Sequence, residues 1–187
     1  MALVETRAIE YRRLVSAELS QLGEIDRTEQ IEILYVQHGR RLEKQVGDWS
    51  SPPWDTEGAG EHSVARQRAD CERKIRAGAI ALGAFDGGRL VGIGLVTPHL
   101  RPGVAQLVYL HVSDGYRGRG IGMRLTDEME RIAREAGDTA MVVSATPSAN
   151  TVHFYLARGF EPAAEPLREL VELEPEDVHM QKRLEPG

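Results

Sequence analysis

The chain has 187 residues, with 23 Lys and Arg against 29 Asp and Glu and a formal net charge of -6. That length suits a single domain that buries its own core without a disulfide or a structural metal. An acidic balance without clustered Lys and Arg argues against a general nucleic-acid binder, and the lone cysteine, Cys71, excludes an intramolecular disulfide and a zinc knuckle.

The opening MALVETRAIEYRRL carries a charge every few residues and does not read as a signal peptide. No segment approaches the roughly 20 apolar residues of a membrane helix. The expectation is a soluble, cytoplasmic protein with neither a membrane nor a nucleic acid as partner. In chain order, Ile9 to Leu14 suits a first strand, and Ser16 suits a helix cap ahead of Leu19, Leu22 and Ile25. IEILYV, from Ile31, looks like a strand. The following GDWSSPPWDTEGAG is rich in turn formers, holds both tryptophans and reads as a surface loop that Trp49 and Trp54 pin to the core; a substrate wall is the sharper alternative. Ser63 can cap a second helix running to about Ala77, with Val64, Ala69 and Ile75 facing inward.

AIALGAF and LVGIGLV flank Asp86-Gly87-Gly88, the pattern of a tight hairpin. VAQLVYLHV, Val104 to Val112, is a nearly continuous apolar run and reads as a central strand. Ile121, Leu125, Met129, Ile132 and Ala136 then trace one face of a helix that Gly137 stops. TAMVVSA is a further buried strand, Pro147-Ser148 opens a shorter helix ending near Arg158-Gly159, and Leu170 to Leu173 and Val178 to Leu184 are closing strands.

Between the central strand and the long helix stands YRGRGIGMRL, Tyr116 to Leu125. Glycines at 118, 120 and 122 uncover backbone N–H groups where a helix begins, and Arg117 and Arg119 add positive charge, which suits a phosphate or pyrophosphate. The bland reading is a turn that lets helix and strand pack closely. A P-loop fails for want of a suitably spaced Lys-Ser or Lys-Thr, and a dinucleotide fingerprint puts Met123 or Leu125 where a third glycine belongs. The pattern [QR]-x-x-G-x-[GA] is filled by Arg117, Gly120 and Gly122.

This stretch resembles motif A of the GNAT superfamily of N-acetyltransferases, and NTVHFYLARGF, Asn150 to Phe160, resembles its motif B at the matching distance downstream. The resemblance covers about Ala79 to Phe160, with VHMQKRL similar to the last strand of the family. It implies an α/β fold with a central mixed, mostly antiparallel sheet flanked by helices and splayed between the strands at 104–112 and 139–145. It further implies one acetyltransferase domain over 1–187, in which 1–78 determines the substrate and 79–160 forms the acetyl-CoA-binding core.

The implied activity is transfer of an acetyl group from acetyl-CoA, as co-substrate, directly to a primary amine of a small molecule or peptide. A non-catalytic acyl-CoA-binding module is the alternative, and a homodimer is common in the family. By the same resemblance, Arg117, Gly118, Arg119, Gly120, Ile121 and Gly122 hold the pyrophosphate, main chain around Leu110 and Val112 holds the pantetheine arm, and Asn150 and Tyr155 contact the cofactor. Tyr155 protonates the leaving thiolate, its ordinary pKa of about 10 keeping it a donor. Arg158 suits either a CoA phosphate or a solvated helix end. Gln106 stands where several relatives carry a catalytic Glu and cannot serve as a base. His111, with an ordinary pKa of about 6.5, is the candidate base, and a water chain to Glu24, Asp26 or Glu29 is equally compatible. Cys71, in a separate helix, offers no acyl-enzyme route, and no metal is expected.

Overall fold

The computed structural model describes residues 8–185. Among the described residues, nine strands and four α-helices follow one another with a 3-10 helix near the start. Seven strands form one sheet in the order β1 (Glu10–Arg13), β4 (Ile80–Asp86), β5 (Arg89–Arg101), β6 (Val104–Val112), β7 (Ala140–Ala145), β9 (Val178–Arg183), β8 (Glu161–Pro162). The β6–β7 pair is parallel, with Val104 opposite Ala140 and Leu107 opposite Val143, while β1–β4, β7–β9 and β8–β9 are antiparallel. This is the mixed, mostly antiparallel sheet flanked by helices that the family resemblance implies.

The chain resolves into two compact units, one of residues up to Arg27, Pro53–Leu95 and Tyr109–Asp127, the other of Thr28–Pro52, Val96–Val108 and Glu128 onward. Both draw on sequence before and after residue 78, and β5, β6 and α2 (Ile121–Ala136) contribute to both.

In the first unit, β1 pairs with β4 from Glu10–Phe85 to Arg13–Leu82. The segment Ser16–Glu24 is a 3-10 helix, which explains why Leu19, Leu22 and Ile25 recur every three residues and are each buried. Its cap is Val15 rather than the expected Ser16: the Glu18 carboxylate reaches back to the Val15 N–H at 3.0 Å and is gripped by Arg12 at 2.6 and 2.9 Å. The Arg12 contact and that backbone bond hold the Glu18 carboxyl down at about 2. Ser63 does cap α1 (Val64–Arg76), accepting the Arg66 N–H at 3.1 Å. The inward residue of α1 is Cys71, however, and Ala69 is exposed. At Gly92, a Cβ would lie 2.9 Å from Ile121 and 3.3 Å from Leu125, so the missing side chain sets how closely α2 approaches β5.

In the second unit the first part of the stretch expected to be a loop, Gly47 to Ser51, is instead the end of a strand in a two-stranded sheet, whereas Pro52 to Gly60 is irregular as expected. β2 (Glu29–His38) and β3 (Arg41–Ser51) pair antiparallel from Glu29–Ser51 to His38–Arg41 around Gly39-Arg40, with a register shift near Ile31. Gln37 replaces a stretch of ladder: its amide N–H groups reach the carbonyls of Gly39, Ala163 and His179 at 2.9–3.1 Å, and its Oε1 accepts the His179 N–H at 2.7 Å. Residues 170–173, expected as strand, belong to α4 (Arg168–Leu173), with only Leu170 buried. The short β8 was not anticipated.

One buried carboxylate supports a strained backbone position within β5 in this unit. His99 adopts φ 54, and Asp138, buried, accepts both its N–H and its ring Nδ1–H at 2.9 Å. Removing that acceptor leaves a positive-φ residue unsupported and takes away both of its hydrogen bonds. Asp138→Ala is expected to lower stability by about 1–3 kcal/mol in urea unfolding, with the native fold retained by circular dichroism.

Candidate active site

The turn from β6 into α2 is pinned residue by residue. The Ser113 N–H donates to Val91 O at 2.9 Å, the Asp114 N–H to Asp26 O at 2.8 Å, and the Asp26 N–H to Ser113 Oγ at 2.9 Å. The Tyr116 hydroxyl donates to Asp86 at 2.7 Å, and its ring lies 5.1 Å beneath the Arg119 guanidinium. Arg117 folds back on the turn, donating through Nε to Val112 O at 3.1 Å and approaching Asp114 at 3.6 Å.

The helix then begins on a glycine. The Arg124 N–H donates to Gly120 O at 3.0 Å, which places Gly120 in the cap position, where it has no side chain to meet the first-turn amides. Gly118 and Gly120 have φ of 73° and 80°, so the turn requires residues tolerant of left-handed backbone. Close packing does not require them: a Cβ on Gly118 would meet nothing within 4 Å, and one on Gly120 only the Met123 side chain at 3.6 Å. Open space beside uncapped amides and two arginines is what a pyrophosphate fits. Leu110 and Val112 are among the last three residues of β6, the strand that leads into this corner, and Ile121 is buried at the start of α2.

His111 sits in an aromatic row on the same strand end. Its ring is 4.5 Å from Tyr109 and 5.6 Å from Trp54, and the Trp54 ring carries Arg27 at 4.5 Å. Trp54 is buried, with its face occupied by Arg27. Trp49, by contrast, lies in β3 at 36 % exposure, so the two tryptophans do different work. Burial first, then the charges of Arg27 and Arg117, push His111 down to about 4. The ordinary value expected from sequence does not survive this setting, and His111 is neutral at pH 7. Cys71, buried on α1, has its thiol pushed up to about 11 by burial and stays protonated, as an acyl-enzyme role would forbid.

Asn150 and Tyr155 belong to α3 (Ala149–Ala157) in the second unit. Ser148, not Asn150, caps this helix, accepting the Thr151 N–H; the Asn150 amide donates to Glu29 of β2 at 2.8 Å. Glu29, one of three carboxylates weighed from sequence, is thus tied to motif B. Of the others, Glu24 accepts the Leu90 N–H at 2.8 Å at the start of β5, a structural task. The Tyr35 hydroxyl pairs with His153 Nε2 at 2.9 Å, a contact that no spacing in the sequence signals. Tyr155 is 4 % exposed between Phe154 and Phe160, in edge contacts of 5.2 and 5.3 Å. Burial, then the Asp177 charge, raises its pKa above the ordinary value, so it remains a phenol through neutral pH.

A cavity of about 620 Å³ in this unit is lined by Val142, Leu170, Met180 and neighbours and contains none of the expected site residues. Among the described residues there is no cluster of His, Cys, Asp and Glu able to hold a metal, and no helix is long and apolar enough to cross a membrane.

A profile of the acetyltransferase (GNAT) family matches residues 44–160, well over half of the chain. The chain belongs to the GNAT acetyltransferase family. Among solved structures it is similar to nourseothricin acetyltransferase, at 16% identity and TM-score 0.71, covering 96% of this chain and 100% of that one. A protein of Bacillus anthracis str. Ames assigned as a streptothricin acetyltransferase, crystallised with acetyl coenzyme A, is similar at 15% identity and TM-score 0.70, covering 96% and 100%. The PaiA N-acetyltransferase of Thermoplasma acidophilum, in complex with coenzyme A, is similar at 19% identity and TM-score 0.60, covering 95% and 99%. A search of curated proteins by sequence found no match. The fold is that of an acetyl-CoA-binding protein, and acetyl-CoA is its co-substrate.

Asp177, whose charge acts on Tyr155, has its carboxyl pushed up to about 7 by burial and by Glu174 and Glu176. The folded state therefore binds this proton more tightly than the unfolded chain, for which about 3.8 is ordinary. Its contribution to stability is complete below about pH 3.8 and is lost as pH rises through 7. Asp177→Asn is expected to stabilise the protein at pH 8 by on the order of 1–2 kcal/mol after solvent screening, and the gain should vanish toward pH 4, as read by thermal melts across pH.

Proposed function

We propose that the chain is a single acetyltransferase domain that moves an acetyl group from acetyl-CoA to the amine of a small-molecule or peptide acceptor. The observation that carries this reading is α2 beginning on Gly120, with its first amides facing open space beside Arg117 and Arg119. The name of the Thermoplasma acidophilum neighbour, an N-acetyltransferase, supports nitrogen as the accepting atom.

In this reading the backbone of Gly118–Gly122 and the Arg119 side chain bind the pyrophosphate, while main chain at Leu110 and Val112 orients the pantetheine arm. Acetyl-CoA supplies the activated thioester. Tyr155, protonated and shielded from water, gives its proton to the departing sulfur. His111 accepts a hydrogen bond from the incoming amine, and the amine's proton leaves through water, because an imidazole with a pKa of about 4 is a weak base. Asn150 positions the start of α3 through Glu29 and offers its remaining polar atoms to the cofactor.

A non-catalytic acyl-CoA-binding module is the second reading, favoured by Gln106 in the place of a carboxylate and by the weakened His111. Calorimetric titration with acetyl-CoA, with NADH as the control, is expected to give micromolar binding of acetyl-CoA alone. Gly120→Val should weaken that binding at least tenfold. Tyr155→Phe should leave acetyl-CoA affinity within twofold and slow thiol release at least tenfold in an amine screen. Binding without thiol release from the wild-type protein would favour the module, and no binding by a folded protein would end both readings.

A further inference from the structure

The first unit holds more polar machinery than acetyl transfer uses. Arg27 is a half-buried guanidinium stacked on Trp54 at 4.5 Å, and among the described residues no carboxylate pairs with it. Trp54 Nε1 and the Tyr109 hydroxyl are buried without a hydrogen-bond partner. His111 stands between those two rings, 5.6 and 4.5 Å away. The carboxylate nearest in effect to Tyr109, Asp70, is already engaged by Arg66 at 3.3 Å and Arg73 at 2.8 Å.

Such an arrangement is costly if nothing meets it. A ring stack steadies the guanidinium but leaves its N–H donors unsatisfied in its plane, and each buried unpartnered donor costs about 1–3 kcal/mol. Burial also lowers the Arg27 pKa, the direction expected of a cation lacking its counter-ion. The group is rich in donors and positive, with the neutral His111 ring its main acceptor. What complements a planar fork of donors beside two further N–H or O–H groups is a carboxylate.

We propose that Arg27, Trp54, Tyr109 and His111 form the receiving site for a carboxylate on the acceptor. The substrates are then amines that also carry a carboxylate, as amino acids and peptides do; this rests on the acetyltransferase reading above. The Arg27 fork holds the carboxylate, and Trp54 and Tyr109 contribute the donors that are otherwise unmet.

The test uses Trp54 as its own reporter. In Trp49→Phe protein, where Trp54 is the remaining tryptophan, emission is followed in the presence of CoA during titration with N-acetylglycine, N-acetylglycinamide or inorganic phosphate. N-acetylglycine should bind at least tenfold more tightly than its uncharged amide or phosphate, and Arg27→Met in the same background should reduce that preference to within twofold. Equal affinities, no response to any of the three, or a preference untouched by Arg27→Met would overturn the proposal. Acetyl-CoA calorimetry on the same samples separates the two failures: lost cofactor binding by the parent ends the acetyltransferase reading, whereas intact cofactor binding without carboxylate preference ends only this one.

Discussion

A helix that starts on a glycine has its first amide groups facing outward with no side chain to cap them, and the pyrophosphate site proposed above depends on that condition at Gly120. The amides are useful only if they are held still. Ser113, Asp114 and Tyr116 hold them through hydrogen bonds to Val91, Asp26 and Asp86, and Arg117 closes the loop onto Val112. Below the corner, Ile121 and Leu125 are buried against the space left at Gly92. The direction of the helix is thus set by hydrophobic packing, and its uncapped end is a consequence of the same geometry.

Side chains at the candidate site are tuned chiefly by loss of water. Burial depresses His111 and raises Tyr155 and Asp177, in each case favouring the uncharged form. In the first unit this leaves a neutral imidazole at His111, and in the second a protonated phenol at Tyr155 beside a carboxyl that titrates near pH 7. Arg27 is the exception, which is why its lack of a partner is informative.

The sequence was most legible where burial was continuous or strictly periodic. Val104–Val112 and Ile121–Ala136 matched their expected ranges because each advertises a covered face, and the Asp86-Gly87-Gly88 turn is dictated by positive φ at both glycines. β3 escaped notice because RLEKQVGDWSS is exposed along nearly its whole length, leaving no alternation to read. The segment at 170–173 was misread because four residues cannot distinguish a short helix from a strand. For the site, glycine spacing and the Asn150 motif located the corner and α3. The Arg27–Trp54–Tyr109–His111 row was out of reach, since it joins four residues from three separate stretches of chain and is created by the fold alone.

Gln37 concentrates in one amide what a sheet spreads along a ladder. A strand that joins another by backbone bonds is committed to its register, and a residue inserted anywhere along it must be absorbed by a bulge. The β2–β3 hairpin meets β9 and the Ala163 segment through a side chain instead, and its backbone bonds the chain after β7 at one point, the Tyr35 N–H to Pro147 O at 2.9 Å. A change in how β2 pairs with β3 therefore requires no matching change in the β7–β9 ladder.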